Sequence, residues 1–120
     1  LDGFKSINDD FGHDSGDDIL IFVAASLMEL TRDSDIEARF AGDEFVLILP
    51  GTDHDEAGKF MKRLRTYFLE YPITIQGASV FVQFSFGIAS ALDEDIKDPA
   101  TLLKRADIAL YQDKDRNKAR

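Results

Sequence analysis

Between Arg39 and Pro50 the chain reads Arg-Phe-Ala-Gly-Asp-Glu-Phe-Val-Leu-Ile-Leu-Pro, an apolar run broken once by a glycine turn that carries two adjacent carboxylates. A strand that stops at Ala41-Gly42, displays Asp43 and Glu44 and resumes as Phe45-Val46-Leu47-Ile48-Leu49 predicts an antiparallel hairpin with charge at its tip. Its arms are Ile36 to Phe40 and Phe45 to Leu49, and Pro50-Gly51 stops the second. Two acids at such a tip can hold a divalent cation.

On either side the hydrophobic period changes to that of helices. Ile19, Leu20, Val23, Leu27 and Leu30 follow Gly16-Asp17-Asp18 at helical steps and make one face of a helix ending near Arg32. Asp53 with Glu56 marks a second helix start, leading through Phe60, Leu64, Phe68 and Tyr71 to a stop at Pro72. Ile73 to Gln76 and Val80 to Ser90, rich in β-branched and aromatic residues around Gly77-Ala78-Ser79, predict a second hairpin. Its longer arm alternates Phe81, Gln83 and Ser85 against Val82, Phe84 and Phe86, so one face is expected to be buried. Asp98-Pro99 opens a last helix with Leu102, Leu103, Ala106, Ala109 and Leu110 on its inner side.

The order helix, hairpin, helix, hairpin, helix predicts an α+β sandwich in which helices cover a central, mostly antiparallel sheet. Two hairpins alone leave such a sheet without a strand between them. A strand and a helix are therefore expected ahead of Leu1, outside this sequence.

With 120 residues the chain supports one core rather than two. It has no cysteine, which removes disulfides and thiolate metal sites and favours a reducing, cytoplasmic setting. The net charge of -9 argues against adhesion to nucleic acid, whose phosphates attract basic faces. No apolar run is long enough to span a bilayer, so no membrane contact by this domain is expected; tethering through segments outside the sequence stays open.

A small phosphorylated ligand needs only a few local cations. Lys5, Lys114 and Lys118 lie far apart in sequence, where folding either converges them or leaves them as solvated surface. His13 reads as a residue that orders the loop beside Gly12, and His54 as surface. Without cysteine and with only these histidines, any metal is expected to be hard and oxygen-ligated, Mg2+ or Mn2+.

The segment from Phe4 to Asp17 packs polar groups and glycines into the approach to the first helix, with bends expected at Gly12 and Gly16. Asn8 and Asp17 together suit the edge of guanine, which presents N–H donors beside a carbonyl acceptor. Equally, Asn8 fits an Asx turn and Asp17 a helix cap.

Three blocks now stand in order: Phe-Lys-x-Ile-Asn-Asp-x-x-Gly-His-x-x-Gly-Asp from Phe4, Arg-Phe-Ala-Gly-Asp-Glu-Phe from Arg39, and Ala-Asp-x-Ala-Leu-Tyr-Gln-x-Lys from Ala106. Together they resemble the GGDEF domain of diguanylate cyclases, along the whole chain from 1 to 120. The resemblance implies a fold related to nucleotide cyclases and polymerase palms, its first strand truncated here. It implies condensation of two GTP into cyclic di-GMP with release of two pyrophosphates, dependent on Mg2+ or Mn2+. Each chain would supply half a site, so catalysis would need a homodimer, and a sensor or receiver domain would be fused on the N-terminal side.

By position in these blocks, Asn8 and Asp17 match the guanine-binding pair. Asp43 matches the acidic metal ligand, Glu44 the adjacent catalytic acid, and Leu1 a residue whose backbone carbonyl helps hold the metal. The other metal-binding Asp would precede Leu1. Lys5, Lys114 and Lys118 match the cations on the triphosphate; the family more often has Arg at the last, so bidentate recognition is lost while charge remains. Arg32-Asp33-Ser34-Asp35 matches the Arg-x-x-Asp inhibitory product site through Arg32 and Asp35, and Arg63 a further product-binding arginine. The alternatives are a helix C-terminus for Arg32 and a solvated helix face for Arg63.

Ala41 replaces the first glycine of the signature. If the position needs positive φ, alanine costs about 1 kcal/mol; otherwise its only consequence is contact with whatever approaches the turn. Retained activity is the expectation, against two alternatives: a non-catalytic receptor of GTP or cyclic di-GMP, and a dimerisation module with no nucleotide role.

Overall fold

The opening segment is helical. In the computed structural model, which describes residues 1–93 and 96–118, α1 (Phe4–Phe11) is followed directly by α2 (His13–Leu30). Phe4, Ile7 and Phe11 give α1 an apolar stripe, and Ile7 and Phe11 pack on the core. The expected bend at Gly12 is present, with φ +93°, but Gly16 lies buried inside α2. Asp17 is consequently an exposed interior residue of α2 and not its cap.

The antiparallel hairpin follows as β1 (Ile36–Ala41) and β2 (Glu44–Ile48), joined at Gly42-Asp43. Ile36 pairs with Ile48 and Arg39 with Phe45, and the register shifts by a bulge before Ala41 pairs with Glu44. α3 (His54–Glu70) starts where Asp53 was expected to cap it: Asp53 Oδ1 accepts from Glu56 N at 2.8 Å.

β3 (Ile73–Ile75) and β4 (Ala78–Val80) form the second hairpin, with its turn at Gln76-Gly77, one residue earlier than expected. Both turn residues have positive φ, 49° and 81°, the requirement of a two-residue type I′ hairpin loop. Gln76 adopts that conformation without being glycine, and its Nε2 donates to Phe11 O at 2.9 Å.

The expected long strand ends at Val80. Beyond it the predicted alternation persists, with Val82 and Phe84 buried and Phe81 and Gln83 exposed, but no ladder accompanies it. Single bonds from three elements hold this backbone instead: Asp2 N donates to Gln83 O (2.8 Å), Arg65 Nη2 to Phe84 O (3.2 Å), and Phe86 N to Asp113 Oδ2 (2.8 Å). α4 (Pro99–Lys118) begins with Asp98 Oδ1 accepting from Thr101 N at 2.7 Å. It lies so close to the 81–90 segment that a Cβ on Gly87 would overlap Ala106 O and Leu110 N.

The fold is thus α+β, and among the described residues its antiparallel pairing lies in two small sheets, β1-β2 and β3-β4. The core draws Ile19, Val23 and Leu27 from α2, Leu64 and Phe68 from α3, Ile75 from β3, and Val82 and Phe84. Phe68 sits at its centre, with its ring 5.9 Å from that of Phe22 and 6.1 Å from that of Phe84.

Candidate functional site

At the tip of the β1-β2 hairpin Gly42 takes φ +49°, and Arg39 Nε donates to its carbonyl at 2.7 Å. Gln76 is the one non-glycine with positive φ among the described residues, so Ala41 keeps ordinary strand geometry. Its methyl group strains nothing in the backbone, because Gly42 carries the left-handed turn. Asp43 and Glu44 are both half-buried there.

The tip is joined to the segment ahead of α1. Leu1 N donates to Asp43 O at 2.8 Å. Leu1 and Asp43, the two residues matched to metal binding, are therefore neighbours. Among the described residues no cluster of three metal-binding His, Cys, Asp or Glu side chains forms. A carboxylate and a carbonyl nevertheless fit Mg2+, which takes one or two carboxylates and completes its shell with water and phosphate oxygens.

At the α1-α2 corner Asn8 Oδ1 is buried with no hydrogen-bond partner among the described residues. It occupies the space that a Cβ on Gly16 would take. An acceptor left in that state costs about 1–3 kcal/mol, and the Asx turn that would have satisfied it is not formed. Asp17 stands one residue beyond Gly16 with its carboxylate exposed.

Of the matched cations, Lys5 is exposed on α1. Lys114 is half-buried on α4, its Nζ 5.6 Å from the centre of the Tyr111 ring. The side chain of Lys118 lies outside the described residues.

Arg32 makes contacts that helix capping does not explain. Its Nη2 donates to Pro50 O (2.9 Å) and Thr52 Oγ1 (2.6 Å), while Thr31 Oγ1 donates to Leu27 O at the end of α2. Arg32 N donates to Asp35 Oδ2 at 2.8 Å, and the guanidinium lies 3.3 Å from Asp35 Oδ1. The backbone hydrogen bond, with the guanidinium adding to it, holds the Asp35 carboxyl below the usual carboxylate range. Arg32 thereby clasps the segments that enter and leave the hairpin. Arg63, on α3, stands 5.9 Å from the centre of the Phe60 ring, beside a cleft of about 410 Å³ lined also by Leu30, Tyr67 and Glu70.

One polar cluster escaped the sequence reading. Ser85 Oγ lies 2.9 and 3.1 Å from the two carboxylate oxygens of Asp2, and Asn117 Nδ2 donates to Ser85 Oγ at 2.7 Å. The only hint in the sequence is Ser85 itself, a small hydroxyl within an aromatic arm; partners this remote leave no local pattern.

The family model described as diguanylate cyclase, GGDEF domain, matches residues 1–120. The chain is 42% identical over 114 residues to the cyclic di-GMP phosphodiesterase NbdA of Pseudomonas aeruginosa, a match covering 95% of this chain and 14% of that protein. It is 37% identical over 114 residues to the diguanylate cyclase DgcP of the same organism, covering 95% of this chain and 17% of that protein. The chain thus spans less than a fifth of the length of these two relatives. Among solved structures, the GGDEF domain of YfiN (TpbB) from Pseudomonas aeruginosa superposes with a TM-score of 0.85 at 36% identity, covering 96% of this chain and 67% of that one. With the match running from Leu1 to Arg120 and the fold shared, this chain belongs to the GGDEF domain family.

Proposed function

We propose that the chain is the catalytic domain of a diguanylate cyclase, joining two GTP into cyclic di-GMP as a homodimer. The observation that carries this reading is the hairpin tip, where Asp43 adjoins Leu1 and the variant residue Ala41 leaves the turn unstrained. Asn8 Oδ1 and the Asp17 carboxylate accept hydrogen bonds from the guanine N–H groups; the unpaired, buried state of Asn8 Oδ1 supports that assignment. Lys5, Lys114 and Lys118 neutralise triphosphate oxygens.

Asp43 and the Leu1 carbonyl are the groups of this chain that would hold Mg2+ or Mn2+, which when bound supplies charge stabilisation at the phosphoryl oxygens. Glu44 takes the proton of the attacking 3′-hydroxyl. The 3′-oxygen of one GTP bonds to the α-phosphorus of the other as the bond to pyrophosphate breaks. Two such transfers close the ring and release two pyrophosphates. Arg32, Asp35 and Arg63 bind the product and inhibit.

A sensor or receiver domain fused on the N-terminal side is part of this reading; the relatives NbdA and DgcP are several times longer than the chain. None of the described helices is long and apolar enough to cross a membrane, and a cytoplasmic site of action follows from GTP as substrate.

A non-catalytic receptor of GTP or cyclic di-GMP is the second reading. It is favoured by the preorganised Arg32–Asp35 pair and by the similarity to part of a protein named as a phosphodiesterase.

Incubation of the full-length protein with GTP and Mg2+ or Mn2+ is expected to yield cyclic di-GMP and pyrophosphate, separated by chromatography. Asp43→Ala should lower turnover by about 10³-fold while leaving product affinity unchanged by calorimetry. No product from a demonstrably dimeric sample would leave the receptor reading in its place.

A further inference from the structure

We propose that Asp2, Ser85 and Asn117 form a positioning triad that holds Lys114 on the triphosphate; the proposal rests on the GTP reading above. The three residues come from the first segment, the ladder-free arm after β4, and α4. Ser85 Oγ gives its proton to the Asp2 carboxylate and accepts from Asn117 Nδ2, which also lies 3.4 Å from Asp2 Oδ2. One hydroxyl thus joins a carboxylate and a carboxamide that are 115 positions apart in sequence.

The triad connects the parts of the proposed site. Asp2 follows Leu1, whose nitrogen bonds the Asp43 carbonyl, and Asp2 N is itself bonded to Gln83 O. Asn117 lies one helical turn after Lys114, on the same side of α4. Asp113, the residue before Lys114, accepts from Phe86 N at 2.8 Å. Lys114 therefore sits between two anchors, Asp113 on Phe86 and Asn117 on Ser85, made to consecutive residues of one strand-like segment.

Two anchors on one helix set both its rotation and its axial position. Each residue of an α-helix advances about 1.5 Å and turns about 100°, so a helix held at one point still swings a long side chain by ångströms. Misplacement by about 1 Å at a reacting group costs up to about 100-fold. The close contact at Gly87 and the Asp113–Phe86 bond keep the earlier part of α4 in place, so loss of the triad frees chiefly the turn from Lys114 onward. None of the three residues is assigned to touch GTP, so their role is to position.

The test is made on the full-length protein. Asn117→Ala and Ser85→Ala are each expected to weaken GTP binding roughly tenfold and to leave guanosine binding, read by saturation-transfer NMR, unchanged, because the base is assigned to Asn8 and Asp17 on other helices. In a Lys114→Ala background Asn117→Ala should add less than about twofold, since its effect runs through the missing lysine. Ser85→Thr, which keeps the hydroxyl, should restore wild-type affinity. If Asn117→Ala fails to fold, Ser85→Ala and Ser85→Thr carry the comparison.

Equal weakening of GTP and guanosine, or a full tenfold loss persisting without Lys114, would overturn the proposal and leave a structural role. So would unchanged GTP affinity in both alanine variants of a protein that binds GTP. A wild-type protein that binds no GTP would remove the cyclase reading and this inference together.

Discussion

The β1-β2 hairpin and the arm that follows β4 are built from the same kind of residues, β-branched and aromatic, yet only the hairpin closes a ladder along its length. In the hairpin both strands and the turn lie within thirteen consecutive residues, from Ile36 to Ile48, so pairing costs little chain entropy and local turn chemistry sets the register. The arm has its alternation but no adjacent partner. Its backbone bonds go to Asp2, Arg65 and Asp113, and its order depends on the whole core. The hairpin is locally specified and the arm globally, a difference with consequences for where substitutions act.

The largest separation is expected in the apolar side chains. Phe84→Ala removes a ring that is 8% exposed, packs on Phe68 and Phe86 and lies under the Arg65 guanidinium, and should cost about 3–5 kcal/mol in urea denaturation. Phe40→Ala, on the hairpin and 60% exposed, should stay within about 0.5 kcal/mol. Comparable losses would contradict the contrast.

A smaller separation lies within the hairpin turn. Gly42→Ala should cost about 1 kcal/mol, wholly from its left-handed φ, since nothing stands within 4 Å of an added Cβ. Ala41→Gly should leave turnover nearly unchanged and destabilise slightly, because it adds backbone freedom to the unfolded chain at a position that needs none. A large rise in turnover with Ala41→Gly would mean that the methyl group crowds the substrate.

The smallest effect concerns pH. Asp35 titrates below the ordinary carboxylate value when folded, so its contribution is present above that value and is lost as the pH falls through the folded pKa. Asp35→Asn should therefore lower stability at neutral pH and flatten its fall in acid, followed by urea midpoints from about pH 5 to about pH 2. An acid limb as steep as that of the parent would place the effect elsewhere.

Features carried by a few adjacent residues were legible in the sequence. The caps at Asp53 and Asp98 and the tip at Gly42-Asp43 depend on contacts spanning three residues, and the stop before Pro72 on the proline ring itself. The core faces of α2 and α3 were legible because a helical period repeats the same choice several times. α1 was hidden because its polar content and the Gly12 that follows it resemble a loop, and only the packing of Ile7 and Phe11 against the core makes its apolar stripe decisive. The second turn shifted to Gln76-Gly77 because register requires Ile75 opposite Ala78, and a bond to Phe11 O accompanies the positive φ at Gln76.

Of the candidate site, the residue types and their order were present in the sequence, and with them the family. Whether Ala41 strains the turn, whether Asn8 spends its oxygen on an Asx turn, and what joins Leu1, Asp43, Ser85 and Asn117 were decided only in three dimensions. The physical reason is the same in each case. Local chemistry sets which conformations a short segment can adopt, whereas contacts between remote segments form only when burial of the common core brings them to one place.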